Sequence, residues 1–460
     1  MSETPNATTD VPADATPGSK PVRTPLPPLV RADARIASFA AGELIAADGS
    51  AVDRRLFVDE AIYRLEQERI FAKCWLYLGH ESALQEKASF FTTTMGEDPV
   101  IVVRDKSMRL RAFLNSCTHR GAKICRVDSG QAAMFRCPYH AWTFSNEGQL
   151  MAVPRMDAAY GADFDRSRYG LREVAHVDTF GGMIFATWDA DAPSLREYLG
   201  DMGFYLELML SRMDGGTEAI GGVHKWTIKV NWKIPAENFA GDHYHVPSTH
   251  GAGVEMGFRS QLTNDGYCIQ TGNGHSIGSE RGGAQQGTAV QTEYEGFMKQ
   301  MRSELVAKYG EAAEAFVPIG VGTIFPNMSF LDSARFRAFR VWHPRGVDRI
   351  EVHSWCIVDK ALPAELKTAV RRQYSLAFGP GGIFEQDDGD IWQSVQDALR
   401  GHVGRQGSFN YRMGLGREAP TAERYGPPFP GSCSDMLMTE ANQRAFYRHY
   451  AGLMADRDGR

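Results

Sequence analysis

The apolar positions change their period along the 460-residue chain. Around Asp59 the spacing is helical: Val58, Ile62 and Leu65 stand at i, i+4 and i+7 with charged residues between, leading into an aromatic-rich stretch at Phe71 and Trp75. Between about Ser89 and Trp188 it shortens to alternating or β-branched runs, Phe90–Thr94, Pro99–Arg104, Leu110–Asn115, Ala133–Cys137 and Gly181–Trp188, separated by turn residues. Such a series predicts a small antiparallel β domain. After Ser194 come longer helical stretches, Arg196–Arg212 and Thr292–Tyr309, mixed with strands near His224–Val230, Thr323–Leu331, Arg337–His343 and Arg349–Val358. This second part reads as α+β, one antiparallel sheet with helices packed against it. The expected division is a tail over 1–35, a helical lead-in to the larger domain over 36–73, the β domain over 74–194 and the larger domain over 195–460.

Composition adds mainly exclusions. With 43% hydrophobic and 23% charged residues, there is apolar material for two domains. Seven of the 22 prolines fall within the first thirty or so residues, among Thr, Ala and Asp, so that segment reads as a flexible tail. Lys plus Arg 50 against Asp plus Glu 56 gives a net charge of −6, which argues against a protein that works by neutralising nucleic-acid phosphates. No run of about 18 apolar residues occurs, and no basic start precedes an apolar h-region, so a soluble cytoplasmic protein is expected. Seven cysteines, an odd and small number, do not make a disulfide framework and leave thiols for metal binding. No glycine-rich phosphate loop follows a strand, so any NAD(P)H is expected to be used by another protein.

Two constellations carry chemistry. In the first, Cys117-Thr118-His119 is followed after seventeen residues by Cys137-Pro138-Tyr139-His140, each half offering one thiolate and one imidazole. Equal numbers of thiolates and imidazoles suit tetrahedral zinc or a [2Fe–2S] cluster in which two histidines replace two cysteines on one iron. Mixed Cys-x-His and Cys-x-x-His halves on β-loops fit the second, Rieske arrangement, because zinc fingers pair Cys with Cys and His with His on a helix. Cys125 lies between the halves but outside the pattern and reads as a buried free thiol.

The second constellation is Asn231–His250, where His243, His245, His250 and Asp242 fall within nine residues of an otherwise apolar domain. On one unbroken helix His245 and His250 would diverge by about 140°. Pro247 disfavours continued helix after His245, so His250 can swing back to the same point. Two converging imidazoles completed by a distant carboxylate would form a facial triad with positions open for O2. His243 would project to another face and is the second choice as ligand. Four acids, Glu385, Asp387, Asp388 and Asp390, crowd the start of a helix whose apolar face is Ile391, Trp392, Val395 and Leu399. A helix dipole alone attracts acids there, and sequence physics does not choose among them.

The stretch CTHRGAKICRVDSGQAAMFRCPYHAWTFSNEGQL, including Arg120-Gly121 and Trp142, closely resembles the Rieske domain of the ring-hydroxylating oxygenases, and from about residue 55 onward the chain is similar to their α subunit. The best fit is the biphenyl, toluene, naphthalene and phenylpropionate-type branch. The resemblance implies an N-terminal Rieske [2Fe–2S] domain ligated by Cys117, His119, Cys137 and His140, and a catalytic domain with one mononuclear Fe(II) held by His245, His250 and Asp388. It further implies that Asp242 bridges to a Rieske histidine of the neighbouring subunit, and that Asn238, Phe239, Val246, Phe378 and Phe384 line the pocket; Asp242 and Asn238 are the expected catalytic side chains. His243 stands where the resembled enzymes carry Ala or Gln. The implied activity is cis-dihydroxylation of a hydrophobic aromatic or polycyclic aromatic compound. It uses O2 and electrons from NAD(P)H through a reductase and a ferredoxin, in an α3β3 assembly with a small β subunit. A Rieske monooxygenase or demethylase is the runner-up, and a pure electron carrier the non-catalytic alternative.

Two further features bear on partners and substrate. Between Ile101 and His140 stand eight basic residues against two acidic ones, either the solvated faces of strands or a docking patch for an acidic ferredoxin. No arginine occupies the matched pocket positions, which favours a neutral arene over an aromatic acid. The apolar run at Ile319, Val321 and Ile324 reads as a buried strand or as further pocket wall.

Overall fold

The computed structural model describes residues 44–161, 163–256, 265–280, 289–333, 335–434 and 436–455. The expected tail over 1–35 lies outside them.

The β-rich first part builds three small antiparallel sheets. One has the order Leu110–Leu114, Asp98–Arg104, Ser89–Met95, Ser129–Gln131; another Met134–Arg136, Thr143–Ser145, Leu150–Ala152; the third His176–Phe180, Met183–Thr187, Leu76–His80. The alternating runs become strands because every second side chain, such as Ile101 and Val103 opposite Phe113 and Phe90, faces a core separate from the main one. That small core holds Cys117, Cys137 and Trp142.

The second part is organised on a nine-stranded antiparallel sheet. Its order is Thr217–Ile228, Ile350–Asp359, Arg337–Pro344, Met328–Asp332, Gly320–Ile324, Ser276–Glu280, Gly266–Gln270, Ser432–Ser434, Glu418–Pro420. The helices Ala364–Phe378 and Ala441–Met454 pack against it, and Ile383–Leu399 lies beside Ala364–Phe378 with its Trp392 ring 5.6 Å from that of Trp342 in the sheet. The lead-in helix Glu60–Glu66, capped by Asp59 through the amides of Ala61 and Ile62, joins this larger core, as do Leu76–His80 and Met183–Thr187.

Three local expectations are corrected. Thr323–Leu331 is not one strand but the inner halves of a hairpin, Gly320–Ile324 and Met328–Asp332, turning at Phe325-Pro326-Asn327. Pro326 has no N–H to give a central ladder, so the run cannot continue straight. Arg196–Arg212 is two helices, Leu195–Leu199 and Met202–Leu210, broken where Gly200 takes a positive φ of 50°. Pro247 does not end a helix: it sits in the first turn of the short helix Val246–Thr249, where its missing N–H costs nothing.

Several histidines are buried as neutral packing groups. Burial brings His275 down to about 3 and His449 to about 4. Burial first, then Lys360 and Arg337, brings His80 to about 4. In the unfolded chain each regains its ordinary value of 6.5. Between those limits the unfolded state binds more protons, so this part of the stability is complete above the unfolded value and is lost as pH falls toward the folded ones. We predict that these histidines make the urea midpoint decline from about pH 6.5 to 4; an unchanged midpoint over that range contradicts it.

Candidate metal centres

The helix Lys233–Asn238 delivers the second constellation, and its first residue is its anchor. The Lys233 ammonium is fully buried, donates to Glu66 Oε1 at 2.5 Å and lies 5.1 Å from the Trp232 ring and 5.7 Å from that of Tyr450. Trp232 Nε1 and Tyr450 Oη complete the Glu66 carboxylate at 2.7 and 2.6 Å. One carboxylate from the lead-in helix thereby fixes the active-site helix and the C-terminal helix together. Beyond Asn238 the chain passes tight against the sheet. Asn442 Nδ2 donates to the Ala240 and Ile277 carbonyls at 2.6 and 2.9 Å, and a Cβ on Gly241 would stand 2.7 Å from that nitrogen. Gly241, at φ 129°, is therefore the residue this passage requires.

His245 and His250 flank the one-turn helix Val246–Thr249, and their Nε2 atoms face each other at 3.2 Å. Asp388, on the inner face of Ile383–Leu399, places Oδ1 at 3.4 Å from His245 Nε2 and 3.3 Å from His250 Nε2. An ion bound at about 2.1 Å from three such atoms needs them roughly 3.0–3.4 Å apart, and buried Asp388 Oδ1 has no hydrogen-bond partner. These donors therefore fit a facial two-histidine, one-carboxylate site. Among the described residues they are the only metal-ligating group with three donor atoms within 4.8 Å of one another.

The outward nitrogens are braced. Asn238 Nδ2 and Asp242 Oδ2 approach His245 Nδ1 at 3.3 and 3.6 Å, while Asp387 Oδ2 meets His250 Nδ1 at 3.2 Å. Asp242 also accepts from the Tyr244 and His245 amides. Although burial opposes it, the Asp242 and Asp388 carboxylates push His245 up to about 10. Burial would raise Asp388, yet its two facing imidazoles hold it below the usual carboxylate range. The acid cluster is thus sorted: Asp388 faces the histidines, Asp387 braces His250, Glu385 turns to Arg340 and Asp390 is exposed. His243 stays apart, buried with Nδ1 at 3.1 Å from Gly241 O and its ring against Gly278.

The first constellation sits on two matching loops. In each, the fourth residue after the cysteine, Gly121 or Ala141, returns its amide to the cysteine carbonyl, at 2.8 and 3.0 Å, with φ of 75° and 59°. Cys117 and Cys137 are buried side by side; burial and the neighbouring thiol push Cys117 up. The His119 and His140 rings lie 4.6 Å apart, and His119 stacks on Trp142 at 4.7 Å. The four do not converge on one point, as a single zinc would demand with donors about 3.3–3.8 Å apart. Thiols on one side and imidazoles on the other fit a two-iron cluster. Buried His119 Nδ1 lacks a hydrogen-bond partner.

The expected pocket residues gather beside the triad. Phe384 stands 5.1 Å from the His250 ring and 5.5 Å from Phe378, Phe239 stands 6.4 Å from Phe378, and Val246 is buried. Ile319 and Ile324 are fully buried at the Gly320–Ile324 strand, whose Thr323 hydroxyl donates to Ala236 O. Sequence reasoning missed Arg340, which lies behind Phe239 and Phe378 on the strand Arg337–Pro344. Its charge is engaged by Glu385 and the Phe378 carbonyl. Of the eight basic residues near the first constellation, Arg104, Lys106, Arg109 and Arg111 are held in ion pairs with Glu81, Glu147, Asp105 and Glu173.

Residues 212–456 match the family described as ring hydroxylating alpha subunit (catalytic domain), and residues 74–178 match the Rieske [2Fe–2S] domain. The chain is 40% identical over 442 residues to the biphenyl 2,3-dioxygenase α subunit of Rhodococcus jostii (strain RHA1), covering 93% of each. It is 38% identical over 424 residues to a benzene 1,2-dioxygenase α subunit of Pseudomonas putida, covering 88% of this chain and 92% of that one. The solved naphthalene 1,2-dioxygenase from Rhodococcus sp. bound to indole superposes with a TM-score of 0.81 at 35% identity, over 91% of this chain and 98% of that one.

Breaking the anchor tests how the centre is held. Glu66→Gln or Lys233→Met leaves one buried charge without its partner and is expected to cost about 3–5 kcal/mol in denaturant unfolding. A loss below about 1 kcal/mol, the range of exposed pairs, contradicts the anchoring role.

Proposed function

The chain belongs to the α subunits of the Rieske aromatic-ring-hydroxylating dioxygenases, oxidoreductases with a [2Fe–2S] cluster and a mononuclear iron, and from that premise we propose that it cis-dihydroxylates an uncharged arene of the biphenyl, benzene or naphthalene type. The observation that carries this reading is the phenylalanine wall, Phe239, Phe378 and Phe384, running to His250, with the Arg340 cation behind it already engaged by Glu385. A flat apolar ring fits such a wall, and among the described residues the guanidinium behind it is already paired and not free for a carboxylate. The relatives named for biphenyl, benzene and naphthalene support the same substrate class.

In this reading Cys117, His119, Cys137 and His140 hold the cluster, and His245, His250 and Asp388 hold the iron. The iron supplies O2 activation, for which two electrons from outside the substrate are required. Asp242 favours the Nδ1–H tautomer of His245, as Asp387 does for His250, and Asn238 packs beside the same edge of the His245 ring, so that both Nε2 atoms point inward. Asp242 is one-third exposed at its side chain and accepts at Oδ1 from backbone amides. That leaves Oδ2 to join His245 to a cluster histidine of a neighbouring copy. The rest of the assembly follows the family: a β subunit in α3β3, a ferredoxin and an NAD(P)H reductase, with Arg120, Lys123, Arg126 and Arg136 near the cluster loops as the ferredoxin's docking charges. The domain limits that go with this are 74–194 for the Rieske part and 195–460 for the catalytic part. No helix among the described residues is long and apolar enough to cross a membrane, and a cytoplasmic location accords with the reducing conditions that free cysteines and a ferredoxin need.

Two measurements test the reading. Iron and acid-labile sulfide analysis of the reconstituted enzyme is expected to give about three irons and two sulfides per chain, with turnover of naphthalene or biphenyl to a cis-dihydrodiol using a surrogate ferredoxin and reductase. Zinc, or a cluster without the third iron and without oxygen uptake, rejects it. Asp242→Asn is expected to retain both centres yet slow electron arrival at the mononuclear site by about 10–100-fold in single turnover; an unchanged rate removes Asp242 from the path.

A further inference from the structure

Arg340 ties both helices of the corner carrying Phe378, Phe384 and Asp388 to the sheet. It rises from the strand Arg337–Pro344, is fully buried, and forks: Nη1 donates to Glu385 and Nη2 to the Phe378 carbonyl at 2.8 Å. Its guanidinium carbon lies 4.9 Å from the Phe378 ring centre and 5.1 Å from that of Phe239, with Trp342 and Trp226 at 5.7 and 5.9 Å.

The two acceptors belong to different helices. Phe378 closes Ala364–Phe378, and its carbonyl is among those a helix end leaves unsatisfied. Glu385 lies in the first turn of Ile383–Leu399. Between them the chain turns so tightly that a Cβ on Gly382 would meet Ala377 backbone atoms at 2.6 Å. Glu385 and Asp388 are three apart on one helix and share a face, and Phe384 and Asp388 are four apart. A rotation of this helix about its axis therefore moves Asp388 and Phe384 together, and the Arg340 to Glu385 bond resists that rotation from the sheet side.

Stability does not require the pair. Burying a guanidinium and a carboxylate costs solvation that their attraction only partly returns, and apolar replacements of similar volume are often as stable or more so. What an apolar pair cannot supply is a two-pronged, directional tie between a sheet and two helices.

We propose that Arg340 and Glu385 are positioning residues for the mononuclear centre, clamping the 378–388 corner so that Asp388 meets His245 and His250 and the phenylalanine wall keeps its distance from them. This rests on the functional reading above, with His245, His250 and Asp388 as the iron ligands.

The test uses the reconstituted enzyme and its R340M, R340K, E385Q and R340M/E385L variants. Each is followed by thermal unfolding, by the Rieske EPR signal, by the EPR spectrum after nitric oxide is added to the reduced enzyme as a probe of the mononuclear iron, and by dihydrodiol formed per O2 consumed on naphthalene. Positioning predicts an unchanged Rieske signal, an altered nitric oxide spectrum and a fall in product per O2 of about tenfold or more. R340K, which keeps the charge but loses the fork, is expected between R340M and the parent. The double variant guards against misfolding of the single ones: it is expected to regain thermal stability while keeping the altered spectrum and poor coupling. A double variant with the parent's spectrum and coupling overturns the proposal. A parent enzyme with no nitric oxide-binding iron overturns the functional reading instead.

Discussion

Three lone-pair donors held within 3.4 Å of one another, two imidazole nitrogens and one carboxylate oxygen, are the constraint around which the catalytic part is organised. Such a cluster is favourable only around a shared cation, and its members lose freedom before any ion arrives. The surrounding structure meets that cost with braces: Asn238 and Asp242 behind one ring, Asp387 behind the other, and the Ile383–Leu399 helix behind the carboxylate. Each brace is itself fixed by a buried charge pair, Lys233 with Glu66 on one side and Arg340 with Glu385 on the other.

Both pairs lie where a purely apolar core would pack without them. They share a form, a cation set among aromatic rings with one carboxylate from a distant segment. Aromatic faces compensate part of the lost hydration, and the single carboxylate gives direction. Rigidity thus reaches the site from the sheet and from the lead-in helix rather than from the loop bearing the histidines, whose helix is one turn long.

The two centres differ in how they meet solvent and chain. The cluster loops sit over a small separate core, with Tyr139 exposed beside His140, whereas the mononuclear site is enclosed by phenylalanines beside the large sheet. This suits a division of labour in which electrons enter at an accessible imidazole edge and oxygen chemistry proceeds in a dry, apolar place.

The sequence by itself determined the fold class and put forward the candidate thiolates and imidazoles. Cys117, His119, Cys137 and His140 stand out by spacing because each half lies on one short loop, and the period of apolar residues marks the strands that carry those loops. His245 and His250 were legible as candidates beside His243, but the local reason differs from the expected one: Pro247 lies in the first turn of the helix between them rather than ending one. A helix start crowded with four acids offered no local basis for choosing Asp388, since all four satisfy the same dipole, and it took family likeness to single it out. Only the tertiary structure sorted them, by which face of one helix meets which partner from other segments. The same holds for Glu66 with Lys233, 167 residues apart, and for Arg340 with Glu385: a buried charge is explained by its partner, and sequence spacing carries no information about partners brought together by the packing of sheet and helices.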